Sequence, residues 1–181
     1  MHQNLLRNMR FIFILILLLS AGCSKHHQVF LEPSLPIHDS NIGSNIPIAL
    51  YVEDARSSNT IAKWKKGFRK FSISSQNDLR EIFSIKLQQG LKKLGFLPKV
   101  HRRNPDHSLK VDILYIKSKY SERVPRMDIK VQAKLRATCN NNGKKYSKTY
   151  SAHKKRTGIP PAPFPNENLL NANLSEILAQ I

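Results

Sequence analysis

The groups in this 181-residue chain that could do chemistry are two cysteines, seven histidines and twelve carboxylates. Cys23 has the most telling surroundings. It ends the run FIFILILLLSAGC at residues 11–23, behind Arg7 and Arg10, an apolar stretch from Phe11 to Leu19, and the small residues Ser20, Ala21 and Gly22. A basic head, an apolar middle and a small-residue cleavage site follow the order of a secretory signal peptide. A membrane-crossing helix needs roughly 20 apolar residues, and this run is too short to supply them. Cys139 precedes the turn Asn140-Asn141-Asn142-Gly143 with no His or Asp at a telling spacing, which suits a small packing residue better than a nucleophile. The carboxylates are scattered and form no acid–base pair. His26-His27, His101, His107 and His153 share no ligand spacing, so no metal is expected. No Gly-rich phosphate loop or Ser-His-Asp order exists. Asp54 and Arg56, two residues apart, read as a local ion pair that fixes a turn. The expectation is a protein that is not an enzyme.

The placement of Cys23 resembles the lipobox of bacterial lipoproteins, although Ser20 stands where Leu or another aliphatic residue is usual. That resemblance implies a diacylglycerol on the Cys23 thiol, cleavage after Gly22, and an acyl chain on the freed amine, with no other cofactor. An ordinary signal peptide cut after Gly22 is the other reading. One acyl chain gives only reversible membrane binding, at about 0.8 kcal/mol per buried methylene, whereas two or more hold firmly. Position 24 is Ser rather than Asp. By the rule of enteric-type lipoproteins, this implies the outer membrane, with the domain facing the periplasm. The expected divisions are a signal peptide at 1–22, a lipidated Cys23 with an extended tether to residue 45, whose apolar piece Val29 to Leu31 suggests a short strand before Pro33, and a single α+β domain at 46–181. Fully extended, the tether would reach on the order of 70 Å.

Thirty basic residues against twelve acidic ones give a net charge of +18, and only Arg7 and Arg10 leave with the signal peptide. Such an excess favours anionic surfaces, including phospholipid headgroups, lipopolysaccharide phosphates and acidic glycans; the alternative is a lysine-rich genome with no selected ligand. An exported, anchored chain does not meet the genome, so no nucleic-acid partner is expected. The charge is densest at Lys63-Trp64-Lys65-Lys66-Gly67-Phe68-Arg69-Lys70. Cations near an anionic membrane contribute about 1 kcal/mol each, and aromatic rings favour the interface, so Lys63, Trp64, Lys65, Lys66, Arg69 and Lys70 are candidates for an anionic contact. The alternative is a hairpin with its aromatics turned inward and its lysines solvated. Residues 144–156, KKYSKTYSAHKKR, hold six cations and no acid, and read as the wet face of an edge strand.

These residues need elements to hold them. Ile46 to Val52 is a buried strand with Pro47 near its start. Ser75 followed by Asp78 resembles a capping box opening a helix, with Leu79, Ile82, Phe83, Leu87, Leu91 and Leu94 on one face and Gly95 stopping it. Leu109, Val111, Ile113 and Tyr115 alternate along a strand, and Met127 to Ala137 alternate more strictly still. Asn142-Gly143 is a hairpin turn to a partner strand at Tyr146–Ala152. A last helix runs from about Asn166, with Leu170, Leu174, Ile177, Leu178 and Ile181 as its stripe. The order predicts an α+β fold, a mixed or antiparallel sheet with two amphipathic helices on one face.

With the lipobox in place, Val52-Glu53-Asp54-Ala55-Arg56, the segment SSQNDLR at 74–80, Gly95-Phe96, the Asn-Gly hairpin and the segment Asn171 to Ile181 resemble the YajG-like family of bacterial outer-membrane lipoproteins. The chain departs from it in being far more basic and in stopping at Ile181, where relatives continue. The resemblance implies an envelope lipoprotein with no assigned activity. The expected function is a lipid-anchored binding or adaptor domain with an envelope protein or an anionic glycan or lipid as partner. The alternative is a carrier for a lipid or other amphiphile. An enzyme acting on the cell wall would need a polar cleft that the sequence does not reveal.

Overall fold

The alternation from Met127 to Ala137 marks the middle of the fold. The computed structural model describes residues 24–66, 69–99, 106–123, 126–158 and 166–181, with the backbone alone at Lys66, Glu122 and Arg123. The signal peptide, Cys23, Gly67-Phe68, His101 and the 159–165 loop lie outside these residues. Among the described residues there are β1 (Ser24–Val29), β2 (Pro47–Asp54), β3 (Thr60–Lys66), β4 (Arg69–Ser75), α1 (Leu79–Lys93), β5 (Leu97–Lys99), β6 (His107–Arg123), β7 (Arg126–Asn141), β8 (Lys144–Gly158) and α2 (Glu167–Leu178). The fold is α+β, and its strands divide into two mixed sheets. One has five strands in the order β5-β2-β6-β7-β8, and the other has three in the order β1-β4-β3.

In β7 every second residue from Met127 to Ala137 is buried, while Lys130, Gln132 and Arg136 between them face water. β6 behaves differently from its expected alternation. The register slips between Ile113 and Tyr115, leaving Leu114 as an extra residue, so the inward positions change from Leu109, Val111 and Ile113 to Ile116 and Ser118. A bulge of this kind inverts the pleat, and Tyr115 therefore points to the outer face. Helix α1 packs on β2 and β5, whereas α2 packs on β7 and β8. Phe83 and Leu87 of α1 share one apolar cluster with Leu135 of β7 and Leu174 and Ile177 of α2.

Helix α1 starts three residues later than the capping-box pattern suggests. Asp78 itself is the N-cap, accepting from the Arg80 N–H at 2.9 Å, while Ser75 ends β4 and bonds Asn77. At the other end Gly95 adopts φ +84°. Phe96 N–H donates to Leu91 O (2.9 Å) and Gly95 N–H to Lys92 O (2.9 Å), a Schellman closure that requires the left-handed residue.

Residues 24–45, read from sequence as a tether, lie along the domain. β1 pairs in parallel with β4 from Ser24 opposite Lys70 to Val29 opposite Ser75. His26 bridges the hydroxyls of Ser72 (2.8 Å) and Ser74 (3.0 Å). Beyond β1, Phe30, Glu32 and Ser34 donate their backbone N–H groups to Glu167 Oε1, Asn171 Oδ1 and Ser175 Oγ at 3.0, 2.8 and 2.8 Å. Two residues of extended chain rise about 6.7 Å and four residues of helix about 6 Å, so an i, i+2, i+4 strap matches an i, i+4, i+8 row on α2. Between these bonds, Leu31 is held through both its N–H and its C=O by the Asn77 amide, and Val29 and Leu31 are fully buried.

Candidate anchor-side binding surface

The basic segment forms the hairpin β3–β4. Lys65 stands opposite Lys70, Lys66 opposite Arg69, and Trp64 opposite Phe71. The Trp64 and Phe71 rings stack at 5.1 Å with an interplanar angle of 9°, and Trp64 also meets Tyr120 of β6 at 4.6 Å. The aromatic residues are thus half-buried and spent on packing, while Lys63, Lys65, Arg69 and Lys70 are exposed. Like charges directly opposite one another destabilise a strand pair, so the stacked rings compensate for a tip that is electrostatically unfavourable. Beside the hairpin lies an apolar-lined cleft of about 410 Å³ bordered by Trp64 and Phe71, with Ser24, Lys63, Lys65, Lys70 and Ser72 around it.

β1 is the short strand expected before Pro33, but its place beside the hairpin is what sequence reasoning missed. Its first residue, Ser24, pairs with Lys70, and Lys25 pairs with Phe71. One peptide bond separates Ser24 from Cys23, a Cα distance of about 3.8 Å. Two contacts orient β3 along β6. Ala55 N–H, ahead of β3, bonds Ile113 O at 3.1 Å, and Trp64 touches Tyr120 further on. The hairpin tip and Ser24 therefore lie toward the β6–β7 turn. The only signal of β1 in the sequence was the apolar piece Val29 to Leu31, because its remaining residues are polar and find their partners on distant elements.

Residues 33–181 match a protein family described as uncharacterized lipoprotein. The chain belongs to that family, the YajG lipoproteins. No curated protein matches it. Two solved structures overlie most of it, each at 12% identity. One, from Helicobacter pylori, is described as a neuraminyllactose-binding hemagglutinin homolog; the match covers 83% of this chain and 87% of that one, at a TM-score of 0.48. The other is an uncharacterized protein, with 88% and 91% covered and a TM-score of 0.36. At these scores neither carries an argument about what this lipoprotein does.

Two of the segments that carry the family resemblance, distant in sequence, meet in the lipoprotein's fold. Asp54, Arg56, Asn59 and residues 75–80 line a polar cleft of about 500 Å³. Arg56 donates from Nε (2.8 Å) and Nη2 (2.7 Å) to the two oxygens of Asp54, and its backbone N–H adds a third bond at 3.2 Å. Burial pushes the Asp54 carboxyl up, but the hydrogen bonds and charge of Arg56 outweigh it and hold the group below the usual carboxylate range. The pair closes the turn after β2, as its spacing suggests. Cys139 keeps the inward parity of β7 but lies past the last covered position, Ala137, and is exposed rather than packed. Among the described residues no three His, Cys, Asp or Glu side chains gather as a metal ion needs.

The outer face of the five-stranded sheet has its own charge centre. Asp112, with a side chain 4% exposed, accepts from Arg136 Nη2 at 2.8 Å and pairs with Lys110 Nζ at 3.1 Å; Lys110 also reaches Glu53 at 2.7 Å. Burial raises the Asp112 carboxyl, and its two cations more than reverse that, leaving it lowered.

Proposed function

We propose that this chain is a non-catalytic lipoprotein, anchored through acyl chains on Cys23 in the outer membrane and facing the periplasm, whose domain binds another envelope component. The observation that carries this reading is the start of β1 at Ser24 beside Lys70. With the strap bonded to α2 and Asn77, the domain sits directly at its anchor instead of at the end of a long tether. Lys63, Lys65, Arg69 and Lys70, with Trp64 behind them, then rest against anionic headgroups. Such contacts are weak singly and add to an anchor that already holds. A second reading, a carrier for an amphiphile, is favoured by the apolar cleft that Trp64 and Phe71 border.

Cys23→Ala tests the reading. The variant should lose acyl labelling and leave the membrane fraction on a salt wash. Retention in the outer membrane after that wash would mean that something other than acyl chains holds the protein. A radiolabelled fatty acid recovered with the Cys23→Ala protein from its cleft, and lost on Trp64→Ala, would favour the carrier.

A further inference from the structure

The polar cleft of about 500 Å³ where the end of β2 meets the start of α1 holds one short pattern twice, Asp54-Ala55-Arg56 and Asp78-Leu79-Arg80. In each copy the arginine gives Nε and Nη2 to its own aspartate. The two pairs are near neighbours, since the charge of Asp78 acts on the Asp54 carboxyl and the charge of Asp54 acts on Arg80. They differ in what each arginine has left. Arg80 stands largely in water. The Arg56 side chain is 5% exposed, and its Nη1 is buried with no hydrogen-bond partner among the described residues. The turn after β2 is closed by the Arg56 backbone N–H, Nε and Nη2, so the fold gives no reason to bury the remaining donor. A buried donor without an acceptor is costly, and this one lines a cleft from which an acceptor can be supplied.

The acceptor that fits is uncharged. Two arginines and two aspartates leave this cleft neutral inside a chain of net charge +18. Hydrogen bonds from the Arg80 side chain hold the Asp78 carboxyl below the usual range, and Arg56 outweighs the burial that pushes Asp54 up. Both therefore stay ionised, with lone pairs beyond those their arginines occupy. An incoming carboxylate or phosphate would meet two like charges. A hydroxyl accepts from a guanidinium and donates to the carboxylate beside it. Asn59 and Gln76, also in the wall and exposed, carry amides that donate and accept as well. Past Asp78 and Arg80 the groove continues into a second cleft of about 320 Å³, where Val52 and Leu50 add apolar wall and Ser84 a hydroxyl. Each cleft falls within the roughly 300–1,000 Å³ of small-molecule sites. Polar groups that both donate and accept, followed by an apolar wall, suit a sugar ring with its hydroxyl rim and its C–H face.

We propose that the cleft between the Asp54–Arg56 and Asp78–Arg80 pairs binds a neutral glycan, one sugar unit placing a hydroxyl or acetamido oxygen on Arg56 Nη1. This rests on the reading of the chain as an envelope-binding module and deepens it by naming the chemistry of its partner. Neighbouring hydroxyls of that unit donate to Asp54 and Asp78, and the next unit runs past Arg80 toward Val52. The site is separate from the basic hairpin. Ser75, in the cleft wall, lies five residues along β4 from Lys70, roughly 17 Å of strand. The hairpin answers to charge and the cleft to hydrogen bonds.

The test uses the full chain purified in a polyoxyethylene detergent, which carries no sugar. Chitotriose, cellotriose and maltotriose are the neutral probes, titrated by calorimetry, with a galacturonic acid trimer as the anionic counterpart. At least one neutral trisaccharide should bind with a Kd of about 1 mM or tighter. Its affinity should change less than about twofold between about 0.1 M and 1 M salt, because no net charge is paired. Arg56→Lys keeps a cation for Asp54 and deletes Nη1, and should weaken binding about tenfold. Asn59→Ala with Gln76→Ala alters two exposed side chains outside the turn and should weaken it about fivefold. That double variant decides the matter if Arg56→Lys does not fold. Lys65→Glu with Lys70→Glu should stay within about twofold of wild type, since those charges lie beyond a Debye length of about 10 Å. No binding of any neutral probe, tighter binding of the galacturonic acid trimer, or unchanged affinity in the folded cleft variants overturns the proposal. None of these readouts depends on acylation of Cys23. Sugar binding without anchorage would overturn the anchorage reading alone, and anchorage without sugar binding would overturn the glycan site alone.

Discussion

The outer face of the central sheet is built by the same strands from end to end, yet its two halves treat charge in opposite ways. Near β2, Asp112 gathers Arg136 and Lys110, and Glu53 takes the remaining reach of Lys110. Near the β6–β7 turn, Lys119, Lys130 and Lys155 stand in one row with Asp128 as the carboxylate among them. The pleat is the same, and what differs is the balance of charge, since lysines outnumber acids far more in the second half. The first half spends its charges on the fold. The second half sets lysine opposite lysine, an arrangement that costs the fold something and that guards the free edges of β6 beyond Ile113 and of β8.

The core beneath both halves sets the scale of effects. Leu87 of α1 is 4% exposed and belongs to the shared apolar cluster. Leu87→Ala should destabilise the protein by about 2–5 kcal/mol, the cost of a buried leucine and the cavity it leaves. Chemical denaturation checks it. A loss under about 0.5 kcal/mol would place that face in water and remove the core from under the sheet.

The sequence shows the core side of this comparison far better than the charged side. The stripe of α1, the strict alternation of β7, the Asn142-Gly143 turn and the stop at Gly95 are local patterns, and each appears in the fold at or near its expected place. The bulge at Leu114 is different, since nothing in VDILYIK marks which residue is extra until β7 fixes the register. The division into two sheets and the docking of residues 24–37 were also hidden. They depend on bonds between segments more than 40 residues apart, such as Leu31 with Asn77, and on polar side chains of α2 that look like ordinary surface. The basic hairpin was legible as charge. Its position beside Ser24 was not, because a parallel pairing leaves no mark on either strand alone.

Within the outer face the neutralised half should respond more. Asp112→Asn keeps the shape and removes the charge shared by Arg136 and Lys110. Since both cations are about half exposed and partly screened, the loss should be about 1–2 kcal/mol. The same residue dictates a pH dependence. Its folded pKa lies below the unfolded value of about 3.9, so its contribution is complete above that value and disappears as pH falls through the folded pKa. Denaturant midpoints measured between neutrality and strong acid should therefore converge for wild type and Asp112→Asn at the acid end. A constant gap across that range would mean that Asp112 stabilises by packing and not by charge.

The smallest effect, and the one that most sharpens the contrast, belongs to the row Lys119, Lys130 and Lys155. Lys130 has a lysine opposite it on each side, and neither neighbour gains anything from its charge. Lys130→Gln keeps a long polar side chain with good water contact while removing two repulsive neighbours. Stability should stay within about 0.5 kcal/mol of wild type, with the change toward greater stability. Because the repulsion acts between exposed groups, the difference should shrink as salt shortens the Debye length from about 10 Å at 0.1 M to about 3 Å at 1 M. Thermal and denaturant unfolding at the two salt concentrations, with no phosphate present, read both quantities. A loss of more than about 1 kcal/mol that persists in high salt would mean that Lys130 holds the sheet together through contacts of its own. The two halves of the face would then be alike, each spending its charges on the fold.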